Sequence, residues 1–227
     1  MKLIGITGGM GCGKTTALNE FKKLGVPCFI ADEEAKKLYD DPVFAEKIKA
    51  IFPHTVLGYE EHLNPSTILD EKGNIDKKKV AKIVFRNKLY LEELNKLIHP
   101  EVRKRFLDWC VNLHQENEDL PYVIIESALL YQSSLQELLD EIIVVYLDKE
   151  ERIRRCMLRD KTTRERIELR MDNQMSAEEM VEKADYLIFN YEGNPLRKQV
   201  EIIDRCIKKK EDYSTKENKV IHIHLPN

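Results

Sequence analysis

Three observations predict an α/β fold of three layers around a five-stranded parallel sheet. Five short apolar runs alternate with helix-forming stretches; the run Glu141 to Leu147 contains Ile142-Ile143-Val144-Val145, apolar on both faces; and the first run leads directly into a glycine-rich loop. Strands that alternate with helices and are apolar on both faces belong to parallel sheets covered on each side. The 227 residues, 42% of them hydrophobic, suffice for a sizeable core, as one large domain or a core with insertions.

The first predicted strand is Lys2 to Thr7. Behind it, Gly8-Gly9-Met10-Gly11-Cys12-Gly13-Lys14-Thr15 fits GxxxxGK[ST], the phosphate-binding P-loop, so the fold is of the P-loop NTPase type. Gly8, Gly11 and Gly13 lack Cβ, which lets the backbone curl and aim consecutive N–H groups at one point, a nest for a triphosphate such as that of ATP. A helix over Lys14 to Lys23 follows, and the positive end of its dipole adds to the attraction. Gly8, Gly9, Gly11, Cys12 and Gly13 therefore line the expected nucleotide site. Lys14 reaches the β- and γ-phosphates, Thr15 binds Mg²⁺ through its hydroxyl, and Thr16 donates to the α-phosphate. A tight turn alone would explain the glycines but not Lys14-Thr15. Nucleotide binding follows, while the reaction stays open, since P-loops serve kinases, GTPases, motors and regulatory proteins. Cys12 is read as a small residue that fits the turn, with a thiol of lowered pKa beside Lys14 as the lesser alternative.

The other strands are predicted over Cys28 to Ala31, Tyr122 to Glu126, Glu141 to Leu147 and Tyr186 to Phe189. Ligands of a parallel sheet sit at the carboxyl ends of its strands. That rule selects Asp32 behind the second strand as a general base or hydroxyl-orienting group, and Glu126 at the end of the third as a carboxylate that orients Mg²⁺ through water. Each has a structural alternative: Asp32 as the N-cap of the helix that follows, Glu126 as a cap of the next turn.

About ninety residues separate the second and third strands, far more than a simple crossover needs, which predicts an inserted substrate-binding region. Apolar residues recur at helical spacing over Val43 to Phe52, Lys77 to Arg86, Lys88 to Ile98 and Glu101 to His114. Asn64-Pro65 and Lys72-Gly73-Asn74 mark turns, and His99-Pro100 is expected to divide two helices. The basic clusters around Lys77-Lys78-Lys79 and Arg103-Lys104-Arg105 are mostly a solvated face, with a minority of members available to phosphates. Beyond the fourth strand, Lys149 to Asp160 is an arginine-dense helix that reads as a lid, with Arg155 and Arg159 on one face to stabilise transferring charge and exclude water. For most of its arginines a salt-bridged surface is the plainer reading.

The net charge of −3, from 37 basic and 40 acidic residues, gives no general attraction to nucleic acid. The cysteines Cys12, Cys28, Cys110, Cys156 and Cys206 are widely spaced and form no CxxC pair, which fits a reducing cytoplasm better than zinc or disulfides. No stretch approaches the roughly 20 apolar residues of a membrane span, and no signal-peptide pattern precedes the first strand. The end of the chain, Val220 to Asn227, alternates like a short edge strand; His222 and His224 are assigned no function.

The succession of these motifs resembles the dephospho-coenzyme A kinase family from Lys2 to about Lys209. Its marks are the Thr7 to Thr16 loop, Ala31-Asp32, Gly73-Asn74-Ile75-Asp76 ahead of Val84-Phe85, His99-Pro100-Glu101-Val102, Leu129-Leu130, Arg155 with Arg159-Asp160, Gln174, and Ala184-Asp185 leading to Asn190. The resemblance implies that Gly11 to Thr16 bind the phosphates of ATP, that Asp32 is the base toward the ribose 3′-hydroxyl of dephospho-coenzyme A, and that the lid arginines assist transfer. It further implies that the segment around Asn190 lies on the adenine side.

Two departures from the family pattern stand out. Ile30 replaces the first aspartate of Asp-Ala-Asp, and Glu126-Ser127-Ala128-Leu129-Leu130-Tyr131-Gln132 replaces Asp-x-Pro-Leu-Leu-x-Glu, so acid is lost at positions 30 and 132. The expected organisation is a nucleotide core of residues 1–32, 116–150 and 177–210, a helical coenzyme A domain over 33–115, a lid over 151–176 and a tail over 211–227. Two other readings remain open from the residues: a kinase of another hydroxyl-bearing metabolite or nucleotide, and a non-catalytic ATP-binding module.

Overall fold

The computed structural model describes residues 1–52, 68–84, 87–172 and 174–209. The turn expected at Asn64-Pro65, the last two residues of the helix expected to reach Arg86, and the C-terminal tail with His222 and His224 lie outside them. The chain divides into two compact units, Met1–Ile30 with Asp108–Asn227, and Ala31–Leu107.

The first unit holds five strands, β1 (Lys2–Thr7), β2 (Cys28–Ile30), β3 (Tyr122–Glu126), β4 (Glu141–Tyr146) and β5 (Tyr186–Phe189), in the order β2-β3-β1-β4-β5 and all parallel. Residues on alternate positions of these strands enter different cores because successive side chains leave opposite faces. Ile4, Ile6, Ile143, Val145 and Ile188 pack with Leu18 and Phe21 of helix α1 (Lys14–Lys23) and with Val200 and Ile203 near the chain's end. On the other face, Ile142, Val144 and Leu187 pack with Leu130 and Met180. This is the three-layer arrangement expected from the doubly apolar runs.

The second unit opens with helix α2 (Ala31–Leu38), followed by α3 (Pro42–Ile51), α4 (Lys77–Val84) and the first part of α5 (Lys88–Glu116). Helix α3 has Asp41 as N-cap, its carboxylate accepting the Phe44 N–H at 2.9 Å, and Pro42 at the first helical position, where no donor is missed. The Phe52 and Tyr90 rings stack with centroids 5.4 Å apart.

One expectation is corrected. Pro100 does not divide two helices: α5 runs unbroken with Pro100 inside it. Leu94, Ile98, Val102 and Phe106, spaced four apart, are all buried. Burial of that continuous apolar stripe outweighs the lost hydrogen bond and the clash that proline brings to a helix interior.

The first unit is completed by α6 (Lys149–Asp160), α7 (Arg164–Met171), α8 (Ala177–Glu182) and α9 (Leu196–Lys208). Ile153 and Cys156 of α6 meet Ile167 and Met171 of α7 in a small core of their own, against which Met10 of the glycine loop packs. Among the described residues no helix is long and apolar enough to cross a membrane, and all five cysteines are free.

Candidate active site

The glycine loop leaves the central strand of the sheet and enters α1, as its sequence pattern requires. Gly8 has φ 147° and Gly13, the N-cap of α1, has φ 95°, both in the region that favours glycine. The Thr16 and Ala17 N–H groups both donate to the Gly13 carbonyl, at 3.0 and 3.1 Å, starting the helix. Lys14 folds back over the loop and donates from Nζ to the Gly8 carbonyl at 2.9 Å, while Thr15 and Thr16 are exposed at the loop's mouth. The loop is thus a preformed cradle with a cation across it and two hydroxyls at its rim.

Neighbouring elements hold it in place. Asn190, one residue past β5, donates from Nδ2 to the Cys12 carbonyl at 2.7 Å. Arg155 donates from Nη2 to the Asn190 carbonyl at 3.3 Å and from Nε to Glu151 at 2.9 Å. The Met10 N–H donates to Gln174 Oε1 at 3.0 Å. Cys12 is wholly buried, and burial pushes its thiol up despite the pull of Lys14 and Arg152. The alternative of an acidified, oxidisable thiol is therefore corrected: desolvation of the thiolate is the larger effect.

A family model for dephospho-CoA kinase matches residues 2–195 of this chain. The chain belongs to the dephospho-CoA kinase family.

Family membership makes it a kinase, a transferase with a hydroxyl acceptor in coenzyme A biosynthesis. Similar relatives include the dephospho-CoA kinase of Fusobacterium nucleatum, 35% identical over 188 residues, which span 83% of this chain and 89% of that one. That of Listeria monocytogenes is 33% identical over 211 residues, 92% of this chain and 99% of the relative. Among solved structures, TT1252 from Thermus thermophilus matches with a TM-score of 0.70 at 28% identity, covering 91% of this chain and 95% of that one. The dephospho-CoA kinase from Campylobacter jejuni matches with a TM-score of 0.60 at 30% identity, covering 91% and 96%.

Against that family background, the remaining site residues fall out unevenly. Glu126 ends β3 opposite Ile6 of β1, is 6% exposed, and its charge is felt by the Cys12 thiol, so it stands near the loop. Thr15 and Glu126 supply oxygen only, the donor type Mg²⁺ takes alongside substrate phosphates and water. Among the described residues no group of three or more His, Cys, Asp and Glu forms a metal cage, and such a site needs none. Asp32 lies in the other unit as the second residue of α2. The N-cap alternative is corrected, because the helix begins one residue before it, where an acid in the first turn complements the dipole. Arg159 is bound to Asp160 through Nε at 2.7 Å and Nη2 at 3.1 Å, and no hydrogen bond or ion pair joins it to the loop among the described residues.

Two contacts escaped the sequence reading. Gln174 was only a family mark, yet it binds the loop. Arg152 was one of a run of arginines, yet it is the one that is buried, 7% exposed, with Nε donating to the Leu147 carbonyl at 3.0 Å and its guanidinium against Gly9. Its spacing four residues before Cys156 was the available signal, since that places both on one helical face.

Proposed function

We propose that this chain transfers the γ-phosphoryl group of ATP to the ribose 3′-hydroxyl of dephospho-coenzyme A, giving coenzyme A and ADP. The observation that carries the reading is the intact loop from Gly8 to Thr15, with Lys14 across it, in a chain of the dephospho-CoA kinase family. Direct in-line transfer needs little more from a protein than positioning and charge stabilisation. Lys14 leaves the Gly8 carbonyl for the β- and γ-phosphates. The loop's N–H groups and the α1 dipole hold the remaining oxygens. Asp32 orients the acceptor hydroxyl and takes its proton, and Arg155 or Arg159 exchanges its carboxylate partner for the donor's phosphates. Thr15 and Glu126 are the residues that would hold Mg²⁺, which when bound neutralises charge on the phosphates. The region from Glu33 to Gln115 receives the coenzyme A moiety, and residues 151–176 serve as the lid. Free cysteines and the absence of long apolar helices among the described residues support a cytoplasmic setting.

The test is acceptor-dependent ADP release. Dephospho-coenzyme A should elicit it, whereas nucleosides, nucleotides and shikimate-like alcohols should not; release with ATP alone, or with another acceptor in preference, would overturn the assignment. Asp32→Asn should retain ATP binding and lose turnover strongly, and Lys14→Ala should lose both. Wild-type turnover in Asp32→Asn would remove that carboxylate from the chemistry.

A further inference from the structure

Helix α6 carries four arginines, and they are partnered in an unexpected way. Arg154 and Arg155 share the carboxylate of Glu151, and Arg159 pairs with Asp160. These three are the more exposed ones. The side chain of Arg152, more than nine-tenths buried, makes one hydrogen bond among the described residues, to the Leu147 carbonyl, and no ion pair. Asp172, Glu178 and Glu179 line a cavity of about 380 Å³ that Arg152 also lines, but none of them lies within ion-pair distance of it. Glu179 is engaged instead by the Ser176 hydroxyl at 2.8 Å.

A guanidinium keeps its charge at physiological pH, and this one lines a cavity with no carboxylate partner among the described residues, so its charge is available to a nearby anion. The place where this one is buried identifies the anion. A Cβ on Gly9 would collide with the Arg152 guanidinium, and one on Gly11 would stand 2.7 Å from the Arg152 carbonyl oxygen. The arginine therefore lies against the phosphate loop, on the side where side chains at Gly9 and Gly11 would stand. Its charge acts on the loop: burial is the main influence on the Cys12 thiol, and Lys14 and Arg152 both draw it the other way.

We propose that Arg152 is a positioning residue for the polyphosphate, a fixed cation behind Gly9 whose charge is balanced through the loop by the phosphates of the bound nucleotide. The inference rests on the reading of the loop as an ATP site. Arg155 and Arg159 must each leave a carboxylate to meet phosphate, whereas Arg152 is already in place, so its contribution belongs to ground-state nucleotide affinity and scales with the number of phosphates. Gly9 is part of the device, since any side chain there would push the guanidinium away.

Isothermal titration of the full-length chain with ATP and with AMP, on wild type, Arg152→Met and Arg152→Lys, tests this. Arg152→Met should lose at least tenfold in ATP affinity and less than twofold in AMP affinity, and Arg152→Lys should keep most of the ATP-to-AMP ratio. Without nucleotide, Arg152→Met should melt close to the wild-type temperature, because it breaks no ion pair among the described residues. A purely structural arginine would instead lower the melting temperature and leave the ATP-to-AMP ratio unchanged. An unchanged ratio in Arg152→Met overturns the proposal, as does a variant that melts lower or cannot be purified folded. Wild-type protein that binds no ATP would instead defeat the nucleotide reading itself. Acceptor-dependent ADP release in the wild type together with an unchanged ratio in Arg152→Met would remove this inference alone.

Discussion

Asn190 Nδ2 donates to the Cys12 carbonyl oxygen at 2.7 Å, joining the end of β5 to the middle of the phosphate loop across 178 residues of chain. The bond fixes the orientation of the peptide that precedes Gly13 and Lys14. Asn190→Ala leaves that carbonyl unpaired, at a cost of about 1 kcal/mol. The melting temperature should fall by about 2–4 °C and ATP affinity should fall as well, as thermal denaturation and titration will show; unaltered affinity would mean that the loop holds its shape without the tie.

The backbone at Gly8 makes a sharper prediction. Its φ of 147° is strained for an L side chain, and a Cβ there would run into the Val145 carbonyl and approach Cys12 Sγ to 2.8 Å. Gly8→Ala should destabilise the chain by about 2 to 3 kcal/mol and abolish measurable ATP binding. Urea denaturation reads the first effect and titration the second. Wild-type affinity in this variant would show that the cradle does not depend on the first glycine.

Pro100 offers a gain. It is exposed in the interior of α5, where it supplies no N–H to the preceding turn. Pro100→Ala should restore that bond and relieve the clash, stabilising the chain by about 1 kcal/mol after the greater freedom of the unfolded chain is allowed for. Equilibrium denaturation should show a later midpoint, and kinase turnover should be unchanged. A less stable variant would mean that the helix is shaped around the proline.

Two thiols contribute to an alkaline limit. Burial raises Cys28 to about 11, against a weaker opposing pull from Lys22, and raises Cys110 to about 11. The folded thiols hold their protons more tightly than unfolded ones, which titrate near 9. Their contribution to stability is therefore complete below pH 9 and is lost as pH rises from 9 to 11. Denaturation midpoints at pH 8, 9.5 and 11 should fall in that order, less steeply in Cys28→Ala/Cys110→Ala. Parallel curves for the two proteins would assign the alkaline loss to other groups.

The elements legible in the sequence were those specified by short-range pattern. The strand limits at Lys2–Thr7, Tyr122–Glu126 and Tyr186–Phe189, and the helix at Lys14–Lys23, agree with the expectation residue for residue. Apolar runs bounded by turn residues signal themselves locally. The strand expected over Cys28 to Ala31 ends at Ile30, because Ala31 already belongs to the helix containing Asp32. Pro100 misled because a proline's local cost is visible in sequence, while the burial of Ile98 and Val102 on either side of it is not.

The loop from Gly8 to Thr15, its place behind a core strand and the order of the family's motifs were determined by the sequence alone, because each depends on residues close together in the chain. Which of the α6 arginines faces solvent and which is buried against Gly9, and that Asn190 and Gln174 grip the loop, were decided only by the tertiary structure. Those contacts join residues more than a hundred positions apart, and the packing of β4, β5 and α6 around β1 brings them together. A charge's worth depends on its burial and partners, and neither is written in the residue that carries it.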